Sequence, residues 1–320
     1  TNSHLLSFGE YCAAYLFAWS PVLWPQSVRE FPTGKERFRD PKKIQTWDAE
    51  VEALRNFWQP LWKVRRALAN IATYMIFDDH DISDDWYLNQ AWCMQVLGKP
   101  LGRRVVQNGL LAYALAQAWG NEPEQFAPGQ AGAKLLRATE VWSASAGTDE
   151  TAAATIARLV GLPVVLPDGM PQFRRDAQVW ILDHHPDSLR WHYSIQSHCH
   201  EVLVLDSRTW RGYPLADQVA PPMLLCPRAF DQQIRWPLRQ SQDQNLLTLV
   251  VAPTNLIHLR LIDWAQQWSL TQGTVFDNDV GDAWNLHKEA LSALLAALFE
   301  SRDQVLSLIH ISEPTRRRGI

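Results

Sequence analysis

At 320 residues and 36.6 kDa, the chain is long enough for one large α/β domain or two small ones, and its 47% hydrophobic and 20% charged residues are ordinary for a globular protein. A formal net charge of -4 gives no electrostatic footing for nucleic acid or a membrane surface, so neither is expected as a partner. No apolar run reaches the roughly 18 residues of a membrane span, because Glu10 and Pro21 interrupt the stretch from Leu5 to Trp24. Sixteen tryptophans point to a thick core and an aromatic-lined cleft. Cys12, Cys93, Cys199 and Cys226 are scattered without a Cys-x-x-Cys pair, which implies neither a zinc site nor a disulfide framework. The chain opens on Thr1 without a methionine; an upstream segment is expected to be missing, and no compartment is read from this end.

In chain order, Leu5–Trp19 reads as a helix closed by Ser20-Pro21. After a polar loop through Phe31–Lys35, Leu54, Phe57, Trp58, Leu61, Val64 and Leu68 fall at helical spacing, predicting one helix from about Thr46 to Asn70 kinked at Pro60. Thr73–Phe77, β-branched and aromatic, reads as a buried strand that stops at Asp78-Asp79-His80-Asp81. A helix spans about Gly102–Trp119, and residues 120–176 read as a helical or irregular insertion. Gln178–Leu182, Leu189–Ile195 and Glu201–Leu205 then read as three consecutive, hairpin-like strands. Leu246–Val251 is a further buried strand, Ala283–Phe299 a helix, and Val305–Leu308 the start of a last strand. Strands alternating with helices argue an α/β fold, with part of the sheet antiparallel.

The chemistry concentrates at Asp78–Asp81, with Asp84 and Asp85 close behind. Ligands of α/β sheets bind outside the carboxyl ends of strands, and carboxylates beside an imidazole suit hard or borderline cations. Clustered carboxylates repel one another, and a cation would relieve that. The same residues also suit a solvated acidic turn that caps a following helix. Residue types and spacing leave both readings open.

The block Thr73-Tyr74-Met75-Ile76-Phe77-Asp78-Asp79-His80-Asp81-Ile82-Ser83-Asp84-Asp85-Trp86 resembles the Asp-Asp-His-acid segment of PhoD-like (alkaline phosphatase D type) metallophosphoesterases. Trp191-His192-Tyr193, Leu205–Tyr213, Ala252-Pro253-Thr254 and Asp282-Ala283-Trp284 are similar to family segments in the same order, as is Ser7–Tyr11 through Leu23-Trp24-Pro25. The resemblance implies a four-layer αββα sandwich with mixed sheets, incomplete at both ends. It would occupy residues 1–306 and hydrolyse a phosphoester with two or more metal ions, iron and calcium being implied and manganese or zinc being alternatives. It also implies roles: Asp79 as metal ligand, His80 as the residue serving the leaving group, Asp81 as the acid orienting His80. The family's two earlier metal motifs are absent, and a Gly-Asp-Val-His block is missing where Ser307–Arg316 stands. Residues 307–320 therefore read as an artefactual or disordered tail, and the chain alone is expected to be inactive.

Remaining polar groups are weighed individually. His198-Cys199-His200 reads as an exposed hairpin turn and His184-His185-Pro186 as a loop, rather than as metal sites. Arg208 and Arg211 follow a strand end, where a guanidinium could hold phosphate bidentately; Arg208 is the candidate substrate-binding residue. Pairing between Asp206 and Arg208 to brace the loop is the competing expectation. Asp282 and Trp284 read as a helix cap and a core anchor. Gly102-Arg103-Arg104 lacks the glycine spacing of a phosphate loop.

Overall fold

A computed structural model describes residues 5–25, 31–241, 247–256 and 284–300. The chain separates into two compact units, Leu5–Met75 and the residues from Ile76 onward.

In the first unit, α1 (Phe8–Trp19) starts where Ser7 Oγ accepts the Glu10 N–H at 3.2 Å and Glu10 Oε2 accepts the Ser7 N–H at 2.8 Å, a reciprocal cap. After the short α2 (Gly34–Arg37), Asp40 and Pro41 open α3 (Pro41–Trp58), five residues ahead of the predicted start. Pro60 does more than kink the predicted helix. It ends α3, and its carbonyl accepts the Lys63 N–H at 2.8 Å to begin α4 (Leu61–Asn70). Tyr11, Phe31, Val51 and Leu61 are buried, while Phe17, Leu54, Phe57 and Trp62 stay exposed.

Thr73–Phe77 is not a strand. Residues 72–78 have no ladder partner among the described residues, and Thr73 and Tyr74 are exposed. Phe77 alone is fully buried, its ring 5.0, 4.7 and 5.8 Å from those of Trp86, Tyr113 and Trp191. One aromatic anchor in place of a backbone ladder explains why β propensity misled here.

The second unit continues with α5 (Gln90–Leu97) and α6 (Pro100–Tyr113). A π turn, Ala114–Ala118, carries α6 into α7 (Trp119–Asn121). The predicted insertion holds α8 (Ala131–Ala144) and α9 (Glu150–Leu159), packed on each other, but it ends in a strand the sequence did not reveal, β1 (Phe173–Asp176). β1 turns through Ala177, at φ 52°, into β2 (Val179–Leu182), with Asp176 opposite Val179. No glycine or asparagine announces that hairpin, so its usual sequence signal is missing.

The predicted trio of strands divides between two sheets. β2 lies between β1 and β5 (Tyr213–Pro214), all antiparallel. β3 (Tyr193–Gln196) pairs antiparallel with β4 (His200–Val204), which pairs parallel with β6 (Leu247–Val251). β3 begins four residues later than predicted, although Leu189 and Trp191 ahead of it are buried as core. Among the described residues the fold is mixed α/β with two three-stranded sheets. A core of Leu203, Leu205, Leu225, Ile234, Trp284 and Leu294 joins β4 and its loop to α10 (Pro227–Phe230), the π turn Asp231–Arg235 that follows it, α11 (Trp236–Gln240) and α12 (Lys288–Glu300). Trp284 is the fully buried anchor predicted for it. Asp282, Val305–Leu308 and the tail 307–320 lie outside the described residues. Among those residues, no helix is long and apolar enough to cross a membrane.

Candidate metal centre

The acidic run is shaped first by its own backbone. Asp78 Oδ1 accepts the Asp79 N–H at 2.8 Å, and Asp81 Oδ2 accepts the Asp78 N–H at 2.9 Å, closing Asp79–Asp81 into one 3-10 turn. The Asp79 carbonyl takes the N–H groups of Ile82 and Ser83, and Asp79 Oδ2 takes that of Asp85 at 3.2 Å. Asp85 and Tyr87 both sit at φ 59°, in left-handed backbone. For the fully buried Tyr87 this conformation is strained, and it is tolerated because packing on Trp86 and Trp92 overdetermines the loop.

Arg208 reaches this turn from the loop after β4. Asp206, fully buried, holds that loop by accepting the N–H groups of Arg208 and Thr209 at 3.1 and 2.9 Å, and its other oxygen takes the Thr209 hydroxyl. Burial pushes the Asp206 carboxyl above the usual carboxylate range, opposed by the Thr209 and Arg208 bonds. The predicted brace is thus real, but it runs from Asp206 to backbone. The buried Arg208 guanidinium lies instead on Asp78, through Nη2 and through Nε at 3.1 Å, on Asp79 Oδ1 at 3.0 Å, and on the Trp86 carbonyl at 3.3 Å. Arg208 therefore binds the carboxylates of the acidic turn. Arg211, also buried, ties the Ser207 carbonyl at 2.9 Å to the Tyr87 carbonyl at 3.1 Å.

Asp79, His80 and Asp84 bring one ligating atom each within 4.8 Å of one another, the one such group of three among the described residues. Asp79 is buried, while the His80 and Asp84 side chains are 44% and 49% exposed, with His80 Nδ1 3.4 Å from Asp84 Oδ1. The sequence alone does not single out Asp84 as a ligand; its place four residues after His80 in the same acidic run is the signal that could have found it. Asp81, expected to orient His80, accepts the Asp78 N–H, and the carboxylate found beside the His80 ring is that of Asp84, 3.4 Å from Nδ1.

The donor set fits one borderline cation such as manganese, iron or zinc. Each Asp79 oxygen accepts a hydrogen bond yet keeps a second lone pair for an ion. A second cation would need further ligands, which the described residues do not add.

The two histidine segments weighed above behave structurally. The turn before β4 is closed by Ser197 Oγ on His200 Nδ1 at 2.8 Å, as predicted for that segment. His184 is buried between the carbonyls of Gly161 and Thr209, at 2.6 and 2.8 Å, and His185 pairs with Asp187. Comparison with protein-family models, curated proteins and solved structures returns no match for this chain.

Proposed function

We propose that the protein is a metal-dependent phosphoester hydrolase of the PhoD-like kind, in which this chain supplies the leaving-group side of the centre and is silent alone. The observation that carries this reading is the convergence of Asp79, His80 and Asp84 in a half-open, strained loop. The four-layer sandwich belongs to the same proposal. Asp79 and Asp84 would hold a cation, and His80, with Asp84 3.4 Å from Nδ1, would give a proton to the departing oxygen. Bound cations supply Lewis-acid neutralisation of the phosphoryl oxygens and activation of water. Iron with calcium is the expected pair, manganese or zinc the alternatives.

Manganese titration, followed by the loss of the free-ion paramagnetic resonance signal, tests the centre. One ion binds the chain, and Asp84→Asn weakens it at least about tenfold; no binding at millimolar manganese defeats the proposal. The chain turns over neither an aryl phosphomonoester nor a diester with iron, calcium or manganese. In a longer, active parent, His80→Ala lowers kcat by roughly 10²–10⁴-fold. Turnover by this chain that vanishes in Asp79→Ala would contradict its silence.

One observation favours a second reading, a non-catalytic interaction domain. Arg208 already neutralises Asp78 and Asp79, as a cation would. On that reading the manganese titration is blank and Arg208→Met creates a binding site.

A further inference from the structure

A cleft of about 550 Å³ opens in the second unit, within the range of small-molecule sites. It is lined from the β1–β2 hairpin, the segment before β3, and the helical turns Pro227–Gln240. None of Asp79, His80 and Asp84 lines it.

Its charge is unbalanced. Arg174, Arg190 and Arg228 face Glu122 and Asp183. Arg174 Nε pairs with Asp183 at 3.2 Å and Arg190 with Glu122 at 3.9 Å. That leaves Arg228, whose backbone N–H sits on Asp176 but whose guanidinium has no carboxylate partner among the described residues. The cleft also holds a histidine. His192 is partly buried and lines the cleft, and its Nδ1, turned inward, makes no hydrogen bond among the described residues. Burial, with Arg190 nearby, pushes the His192 imidazole down to about 4, so it is neutral near pH 7 and presents one donor and one acceptor. At the rim Trp236 is 63% exposed, an indole face turned to solvent beside a polar cleft, and Trp210 lines the same space. An unpaired cation, a neutral imidazole and an exposed indole in one cleft together point to a guest.

We propose that this cleft is a ligand site, separate from the acidic turn, for a small anion attached to a flat ring. The ring stacks on Trp236, the anionic group meets Arg228, and a polar group of the ligand lies against the partly exposed His192 ring.

Calorimetric titration in the presence of EDTA, with adenosine 5′-monophosphate as the probe, tests this independently of the metal centre. Adenosine, lacking the anion, and inorganic phosphate, lacking the ring, are the paired arms. The nucleotide should bind more tightly than either. Arg228→Gln and Trp236→Ala, both at exposed positions, should each weaken it about tenfold. Asp84→Asn should leave that affinity unchanged while removing manganese binding. His192→Phe, which keeps the ring volume, should weaken the nucleotide as well. The proposal is overturned by absent binding, by equal affinity for adenosine and its monophosphate, by affinities untouched in both exposed variants, or by loss of the nucleotide in Asp84→Asn.

Discussion

Arg208 Nη2 and Asp79 Oδ1, 129 residues apart in sequence, meet at 3.0 Å, with both side chains almost wholly removed from solvent. This contact ties the acidic turn to the loop after β4, so one of the residues proposed to hold a cation, Asp79, is positioned by a guanidinium.

Arg208→Met should lower stability by about 3 kcal/mol, because it strands the buried Asp79 charge; Asp78, partly exposed, is screened and adds less. Adding Asp79→Asn to that variant should recover roughly half of the loss, since the stranded charge goes with it. Urea unfolding midpoints of the single and double variants check both numbers. A single variant as stable as the parent chain would show that the pair contributes nothing net.

Gly109 on α6 touches the turn from the other side. A Cβ there would lie 3.1 Å from Ile82 Cδ1 and 3.3 Å from Ile82 Cα, and Ile82 directly follows the acidic turn. Gly109→Ala should cost about 1–3 kcal/mol by overpacking and should weaken manganese binding, because relieving the clash moves the backbone next to Asp81. Thermal melting and the manganese titration read the two effects separately.

The pH dependence follows from three histidines, His184 buried and His192 and His287 partly buried. Burial lowers His184, and lowers His192 and His287 to about 4. For His192 and His287 the unfolded chain takes up protons near pH 6.5 and the folded chain only near pH 4, so the unfolded state binds more protons between those values; His184 shifts in the same direction. Stability is full above that window and falls as pH drops through it. His192 keeps a partly exposed ring edge, and with that screening we expect about 1–2 kcal/mol from it. His192→Phe should flatten the fall in melting temperature between pH 6.5 and pH 4; an unchanged slope would remove His192 from the account.

The thiols should react in order of burial. Cys199 is exposed and Cys12 part-exposed, whereas Cys93 and Cys226 are buried with thiols pushed up to about 12. Raised from 9.0 to about 12, the buried pair loses about 10³-fold in thiolate fraction alone. Iodoacetamide on the native chain, read by peptide mass, should label Cys199 first and leave Cys93 and Cys226 unmodified until denaturant is added.

What the sequence determined by itself is what depends on near neighbours in the chain. The residue pattern placed α1 and α6, and helical spacing with Pro60 located α3 and α4 as one kinked helix where two exist. The apolar runs found β2, β4 and β6, although β6, expected to be buried, leaves Leu247, Leu249 and Val251 exposed. The crowding of aspartates around His80 flagged the candidate centre because local charge repulsion is written in residue order. Tertiary structure alone decided that Thr73–Phe77 has no ladder, since a strand exists only where a partner backbone arrives, and here Phe77 met rings instead. It also decided that β2 and β3 enter different sheets, and that Arg208 turns to Asp78 and Asp79 rather than to Asp206. Desolvation explains the last choice: a buried guanidinium must find carboxylates wherever folding brings them, and sequence separation sets no limit on that distance.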